Sequence, residues 1–255
     1  MGYTFENSVS SCIQPRVAPS RKQGLRHRVM ALTLGSPHVG DLHDRAARLG
    51  LPLPAGSNRR ERIHRIRELK TLFIHVPKNA GTSIATLLYG RSECHNSIRY
   101  YERAAPDLFT DGITRFAIWR DPVERFLSAY DFARHGGGRN VALHAHFQKI
   151  YSQFRSVSDA IDHLASVSDP YRLDHVFRPQ SWYLLDKSGK CGVDYLFPLR
   201  SVGRVPDLIP ALKNRSVPRL NVSNRETHTL SPTEATRIRT FYKDDEALRR
   251  YLLPI

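Results

Sequence analysis

The stretch that most constrains this chain is TLFIHVPKNAGTSIATLLYG at residues 71–90, where an apolar run passes through a short polar loop into a second apolar run. The first run is partly β-branched and ends at Pro77, which cannot donate to a sheet ladder, so it predicts a buried parallel strand. The second run repeats apolar residues at helical spacing after Gly81. The N–H groups at a helix N-terminus favour an anion, and Lys78 adds a positive charge. The sequence therefore predicts a phosphate-binding loop.

This loop differs from the loop that binds ATP or GTP in P-loop proteins. Its lysine stands at the beginning of the loop, and the G-K-[ST] ending of the Walker A pattern is absent. An ordinary nucleoside-triphosphate loop is therefore disfavoured. Taken alone, the stretch also fits a strand-to-helix turn with a chance lysine, so a second phosphate-binding element is needed to separate the two interpretations.

Residues 114–130, TRFAIWRDPVERFLSAY, supply that second element. The apolar run FAIW predicts another buried strand, and Pro122 suits the first turn of a following helix. Arg120 then lies at the carboxyl end of the strand and Ser128 lies on the helix. We expect the guanidinium of Arg120 and the hydroxyl of Ser128 to reach one phosphate group from two sides.

Together the two elements resemble sulfotransferase family 2, which includes carbohydrate sulfotransferases and their bacterial relatives. HVPKNAGTS resembles the family's 5′-phosphosulfate loop, and Arg120 with Ser128 resembles its 3′-phosphate motif. The resemblance covers about residues 70–252. It implies 3′-phosphoadenosine 5′-phosphosulfate as the sulfuryl donor and a hydroxyl of a carbohydrate or glycoconjugate as the acceptor. It also implies a donor-binding loop made of Lys78, Asn79, Ala80, Gly81, Thr82 and Ser83.

The resemblance extends, less completely, to the C-terminal third of the chain. RLNVSNRE resembles the family's Asn-x-Ser loop near the nucleotide, so Asn221, Ser223 and Arg225 are further candidates for binding the adenosine bisphosphate. VDYLFPL at 193–199 predicts a further strand. Relatives often place a glutamate after this strand, and this chain does not match that feature.

A hydroxyl that attacks sulfur must lose its proton, and neutral imidazole suits the task because its pKa lies near the operating pH. In relatives a histidine that precedes the arginine-containing strand is the general base, and His95 matches it by order. His175 is the rival base, because HVFRPQ resembles the family's H-F-R-P-Q string with Val176 as an extra residue. Arg178 of that string is a candidate for binding the acceptor. Order along the chain favours His95, and both histidines stay open.

The predicted fold is a P-loop-like three-layer α/β sandwich, with a mostly parallel central sheet, helices on both faces and the nucleotide outside the carboxyl ends of the strands. We divide the chain into a basic, flexible N-terminal arm at 1–40, a basic helical lead-in at 41–70 and a sulfotransferase domain at 71–255. In the lead-in, RRERIHRIRELK predicts an amphipathic helix. Its basic residues either form a solvated face or contact nucleic acid, lipid or an acidic acceptor.

The charge and the cysteine content limit further the kinds of function that this chain can have. The net charge of +15 favours an anionic partner without naming it. The three cysteines are widely spaced and lack zinc-site spacing, so neither a disulfide scaffold nor a structural metal is expected. His144 and His146 form an i, i+2 pair without further ligands at a characteristic spacing, and we expect them in a loop. We expect no metal cofactor.

The chain lacks the apolar core of a signal peptide, and no run approaches the roughly 20 apolar residues of a membrane helix. We therefore expect a soluble, cytoplasmic enzyme of the bacterial type. The sequence leaves two rival functions open. The first is a nucleotide-dependent kinase, which has Asp121 as its candidate for the magnesium-binding carboxylate. The second is a basic nucleic-acid-binding protein, although nucleic acid is not the partner that the two phosphate elements favour.

Overall fold

The computed structural model describes residues 39–51, 56–91, 94–138, 141–218 and 228–254. Its strands are β1 (Thr71–Ile74), β2 (Thr114–Trp119), β3 (Gly137–Gly138), β4 (Val141–Ala142) and β5 (Tyr195–Pro198). β1, β2 and β5 form a parallel sheet in that order, so β2 lies in the middle. β3 and β4 form a small antiparallel hairpin.

The other regular elements that the structure describes are helices, and they flank the parallel sheet. The α-helices are α1 (Val39–Arg48), α2 (Ser57–Leu69), α3 (Gly81–Tyr89), α4 (Ile98–Ala104), α5 (Pro122–Arg134), α6 (Ala145–Tyr151), α7 (Val157–Ser166), α8 (Gln180–Leu184), α9 (Val205–Leu208), α10 (Pro232–Phe241) and α11 (Lys243–Ala247). Short 3₁₀ segments lie at Pro106–Phe109, Pro170–Arg172, Leu199–Arg204, Pro210–Leu212 and Leu248–Tyr251.

The two predicted strand-loop-helix units are present. All four residues of β1 are buried, as are the last four of β2, which explains why their sequences read as continuous apolar runs. Parallel neighbours need a crossover, and α3 and α4 supply the one between β1 and β2. At the start of α5, Pro122 stands in the first turn while Asp121 accepts hydrogen bonds from the N–H groups of Val123 and Glu124. The predicted α/β class is therefore confirmed.

The core has two parts. One surrounds the sheet and buries side chains of all three parallel strands, among them Phe73, Ile74, Phe116, Ile118 and Phe197. The other lies under α5 and is rich in aromatic rings, among them Phe126, Tyr130, Phe147, Tyr151, Phe177 and Tyr242. α5 follows directly from β2, so the second core part fixes the helix that carries Ser128 relative to the sheet.

Several local predictions can be compared with the structure. α2 is present and buries Ile63 and Ile66. SPTE at 231–234 predicts a capping box with proline in the first turn, and α10 opens with both. The sequence SDAI at 158–161 predicts a helix capped near Ser158. α7 is present, but its cap is Ser156, which forms a capping box with Asp159 three positions later. The expectation of a loop holds for His144, which precedes α6 and caps it, but is wrong for His146, which lies within that helix.

α1 packs against α4 and so lies on the body of the domain. The proposed boundaries at residues 40 and 70 stay a prediction. Among the helices that the structure describes, none combines the length and the apolar character needed to cross a membrane.

Candidate active site

The loop after β1 reaches α3 through two left-handed residues. Lys78 has φ 68° and Ala80 has φ 58°, whereas Gly81 is not among the residues with positive φ. Gly81 is required for a different reason, since a Cβ at this position would lie 1.8 Å from Cδ2 of His75. A glycine in this loop predicts a tight turn, but the turn is made by Lys78 and Ala80, and the glycine makes room for the His75 ring.

Lys78 projects from this loop toward α5. Its Nζ lies 4.4 Å from the centroid of the Phe132 ring, within the distance of a cation–π contact. Ser128 lies four residues before Phe132 and therefore on the same side of α5. The side of α5 that carries Ser128 is thus the side that approaches the loop.

Arg120 connects the two predicted phosphate elements. It is 3% exposed, and its Nη1 donates a hydrogen bond to the carbonyl oxygen of Lys78 at 3.0 Å. Its Nε lies 3.6 Å from a carboxylate oxygen of Glu124. The structure therefore brings Lys78, Arg120 and Ser128 to the carboxyl-terminal edge of β1 and β2, as their positions in the sequence predicted. Their binding of phosphate stays a prediction.

Asn79 and Gln180 join the loop to β2 beneath this edge. The amide of Asn79 donates to the carbonyl oxygen of Ile118 at 2.7 Å and to Oε1 of Gln180 at 2.7 Å. Gln180 in turn accepts from the N–H of Arg120 at 3.0 Å and donates to its carbonyl oxygen at 2.8 Å. Because the Asn79 side chain is 1% exposed and bonded internally, this residue can contact a nucleotide only through its main chain. Sequence reasoning assigned no role to Gln180.

A buried carboxylate fixes the helix that carries Gln180. Asp245 accepts from the N–H groups of Gln180 and Ser181, each at 2.8 Å, at the start of α8. Burial raises the pKa of Asp245, more than the nearby Arg125 guanidinium and the two N–H groups lower it. Asp245 therefore holds Gln180 against the end of β2.

Three histidine rings form a chain beside the loop. The ring centroids of His75 and His95 are 4.3 Å apart, and those of His95 and His175 are 5.7 Å apart. Because His75 also lies against Gly81, the chain of rings begins at the loop itself. The structure thus brings together both candidates for the general base and adds His75, which sequence reasoning did not single out.

The surroundings of His95 define its protonation. Its Nδ1 lies 2.9 Å from the carbonyl oxygen of His75. A carbonyl oxygen only accepts, so Nδ1 carries the hydrogen and Nε2 of the neutral ring carries the lone pair. Burial lowers the pKa of His95 well below its usual value, and the positive charges of His75, His175 and Arg178 lower it further. His95 is therefore neutral near pH 7, with Nε2 able to accept a proton.

His175 is held differently. Its Nε2 lies 3.1 Å from Oδ1 of Asp41, so Nε2 carries the hydrogen. Asp41 also accepts two hydrogen bonds from Arg178, at 2.5 and 2.6 Å. Burial raises the pKa of Asp41, but the bonds from Arg178 and His175 outweigh it and hold this pKa well below the usual range. Arg178 is 1% exposed, so the structure gives it this buried ion pair in place of the expected contact with an acceptor.

Other sequence predictions have different outcomes. Asn221, Ser223 and Arg225 lie outside the described residues. Asp121, the candidate magnesium ligand of a kinase, caps α5 and pairs with Arg249 at 2.7 Å. Within the described ranges, no group of three or more His, Cys, Asp or Glu side chains is arranged to hold a metal ion.

The geometry of the site can now be set against known proteins. A sequence model of the sulfotransferase family matches residues 62–255, which include both phosphate elements and all three histidines. The chain belongs to the sulfotransferase family. Sulfuryl transfer is the activity that this membership supports, and the family generally uses 3′-phosphoadenosine 5′-phosphosulfate as its donor. Comparisons with curated proteins and with solved structures gave no significant match.

Proposed function

We propose that this sulfotransferase-family protein transfers a sulfuryl group from 3′-phosphoadenosine 5′-phosphosulfate to a hydroxyl of a carbohydrate or glycoconjugate. One observation carries the proposal: the His75 ring lies against Gly81 of the anion-binding loop and against His95. The neutral imidazole of His95, whose lone pair is on Nε2, therefore lies close to the loop suited to hold the sulfuryl donor.

Each element of the site has a proposed role toward the donor. The main chain of residues 79–83 and the hydroxyls of Thr82 and Ser83 hold the 5′-phosphosulfate, because the N–H groups of Gly81 and Thr82 begin α3 and have no acceptor one turn earlier in the helix. Arg120 and Ser128 hold the 3′-phosphate. Asn221, Ser223 and Arg225 are proposed to contact the adenosine bisphosphate.

The proposed reaction is a single displacement at sulfur. The O–H bond of the acceptor breaks as its oxygen bonds to sulfur, and the proton passes to Nε2 of His95. The bond between sulfur and the 5′-phosphate oxygen breaks, and its electron pair stays on that oxygen. Lys78 stabilises the negative charge that develops there, an interaction that is stronger in the transition state than in the ground state.

The acceptor class rests on the resemblance of the chain to carbohydrate sulfotransferases, and the net charge of +15 suits an acidic glycan. The kinase alternative loses support because Asp121 is engaged in capping α5 and in the ion pair with Arg249. The basic residues of α2 are partly engaged as well, since Arg67 pairs with Asp107. No specific contact in the described part of the chain favours nucleic acid.

Thermal stabilisation by ligands tests the donor. A ligand at 100 times its Kd stabilises by about 2.7 kcal/mol, which raises the Tm of a protein of this size by roughly 5–10 °C. Adenosine 3′,5′-bisphosphate should give such a shift, whereas adenosine 5′-monophosphate, ATP with magnesium, and an oligonucleotide should give much less. A larger shift with ATP and magnesium would point to the kinase, and one with the oligonucleotide to the nucleic-acid-binding protein.

A lysine variant links the ligand to the chemistry. Lys78→Ala should stay folded, because the lysine is only half-buried, and should lose most transfer of sulfate from the labelled donor to a glycan. Retained turnover would remove Lys78 from the mechanism.

A further inference from the structure

Two buried carboxylates on α1 lie beside the histidine chain. Asp41 and Asp44 are 2% and 6% exposed, and α1 lies before the region that the family model matches. Placing a carboxylate in the interior costs several kcal/mol, and an ion pair there often only offsets that cost. Stability is therefore a weak reason for two such groups on one short helix, although Asp44 pairs with Arg48 at 2.8 Å.

Asp41 anchors the segment that carries His175. It binds both terminal nitrogens of Arg178 and the Nε2–H of His175. Arg178 also donates to the carbonyl oxygens of Pro170 and Leu173, at 2.8 and 2.9 Å. Through one carboxylate, α1 thus fixes the main chain of residues 170–178 and the direction of the His175 ring.

Asp44 anchors the segment that carries His95. It accepts a hydrogen bond from the hydroxyl of Ser97, two residues after His95, and Ser97 in turn caps α4 by accepting from Tyr100 N–H. Asp44 also accepts from the hydroxyl of Tyr171 at 3.0 Å, which belongs to the segment held by Asp41. One helix therefore holds both histidine-bearing segments, and their rings meet at 5.7 Å.

We propose that α1 is the positioning element of the proton-accepting site: Asp41 orients His175, Asp44 orients the segment of His95, and together they set the two rings against each other. This inference rests on the proposed role of His95 as the base. Asp41 and Asp44 touch neither donor nor acceptor in this proposal, so they are positioning residues.

Histidine NMR tests the inference directly. In the full-length protein labelled with ¹⁵N in its histidine rings, long-range ¹H–¹⁵N spectra report which nitrogen carries hydrogen, and His→Gln variants assign the signals. The parent should show hydrogen on Nδ1 of His95 and on Nε2 of His175. Among the residues that the structure describes, the charged or titratable groups near His175 include Asp41 on α1, His95 before α4, and Asp174, Arg178 and the Tyr183 hydroxyl near the ring's own segment.

Asp41→Asn removes the negative charge beside His175, so the pKa of His175 should fall by roughly 1–3 units. Turnover should fall with it, while the Kd for adenosine 3′,5′-bisphosphate stays within about twofold of the parent value. Asp162→Asn is the matched control, because this exposed carboxylate pairs with Arg237 away from the histidines. A folded Asp41→Asn protein with the histidine pKa and turnover of the control would overturn the proposal.

Asp41→Asn leaves Arg178 buried without its anion and therefore destabilises the fold, so a milder variant accompanies it. Ser97→Ala removes the hydrogen bond to the Asp44 carboxylate and the cap on the N–H of Tyr100. Turnover should fall by about tenfold or more, because a hydrogen bond to a charged acceptor contributes more than a neutral one. The His95 signals should also shift. Unchanged turnover and unchanged His95 signals in Ser97→Ala would overturn the role of Asp44. Failure of the proposed function would appear differently, as a parent protein that does not bind adenosine 3′,5′-bisphosphate.

Discussion

Gln180 offers the sharpest test of how the two phosphate elements are held together. Its side chain is fully buried and bonds to Asn79 in the loop and to both main-chain groups of Arg120 at the end of β2. Gln180→Met keeps the volume of the side chain and removes all three bonds. Asn79 retains its bond to Ile118, but the N–H and carbonyl groups of Arg120 lose their partner.

An unsatisfied buried polar group costs about 1–3 kcal/mol, so the two groups of Arg120 should lower the free energy of unfolding by about 2–6 kcal/mol. Urea denaturation measures this loss. Calorimetry should show weaker binding of adenosine 3′,5′-bisphosphate as well, because Asn79 in the loop and the main chain of Arg120 lose the side chain that bridges them. Gln153→Met, at an exposed position after α6, controls for the substitution itself.

Gln180→Glu isolates the single bond to the Arg120 carbonyl oxygen. An ionised carboxylate accepts but cannot donate, so it would face that oxygen with a repulsive contact. Burial raises the pKa of the introduced carboxyl group, and its protonated form regains an O–H donor. The stability deficit of this variant should therefore shrink as the pH falls. A loss of less than about 1 kcal/mol in Gln180→Met, together with an unchanged Kd, would refute the bridging role.

Three further predictions follow from the site. Gly81→Ala should lower the free energy of unfolding by about 1–3 kcal/mol in urea titrations, because the new methyl group overlaps a buried ring; parental stability would contradict this packing. Arg120→Ala should weaken binding of adenosine 3′,5′-bisphosphate more than Ser128→Ala does, since charged hydrogen bonds contribute roughly 1.5–3 kcal/mol against about 1 for a neutral one; if both variants keep the parental preference over adenosine 5′-monophosphate, the phosphate assignment is wrong. His95→Ala should lose roughly 10²–10⁴-fold in turnover with near-normal bisphosphate affinity, whereas His175→Ala should chiefly disturb acceptor binding or folding; the reverse pattern would exchange their roles.

Local sequence patterns predicted the frame of this site well. The buried strand runs and the prolines that follow them are short-range signals, and they gave the correct order of strand, loop and helix around Lys78 and Arg120. The carboxyl ends of neighbouring parallel strands share one edge of a sheet, so the meeting of these two residues followed from the fold class. That step needed no knowledge of side-chain packing.

The contacts that complete the site could not be predicted in the same way. Asn79 and Gln180 are 101 residues apart, and Asp41 and Arg178 are 137 residues apart. Such pairs depend on how distant segments pack, and a buried aspartate in α1 has the same local pattern as an exposed one. Gly81 shows a related limit, because a glycine in a loop suggests a left-handed turn, whereas here it accommodates the ring of His75.

The low pKa of His95 also predicts how stability depends on pH. In the unfolded chain this ring titrates near pH 6.5, whereas in the folded protein burial and the neighbouring positive charges hold its pKa well below that value. Between the two pKa values the unfolded state binds the additional proton, so the free energy of unfolding falls as the pH falls below about 6.5. Above that pH the ring is neutral in both states and contributes nothing to the dependence.

The contribution of His95 to the pH dependence of stability can be separated from the contributions of Asp41 and His163. Asp41 has a lowered pKa in the folded protein, so its stabilisation is complete above about pH 4 and is lost only below it. Burial lowers the pKa of His163 as well, so His163 affects stability in the same pH range as His95. His163→Gln is therefore measured beside His95→Gln to give the contribution of His163 separately. Urea titrations between pH 7.5 and 4.5 should give His95→Gln a shallower dependence than the parent, by at most about 1.4 kcal/mol per pH unit. Equal slopes for the parent and His95→Gln would mean that His95 is not held neutral by its surroundings, and the assignment of Nε2 as the proton acceptor would lose its physical basis.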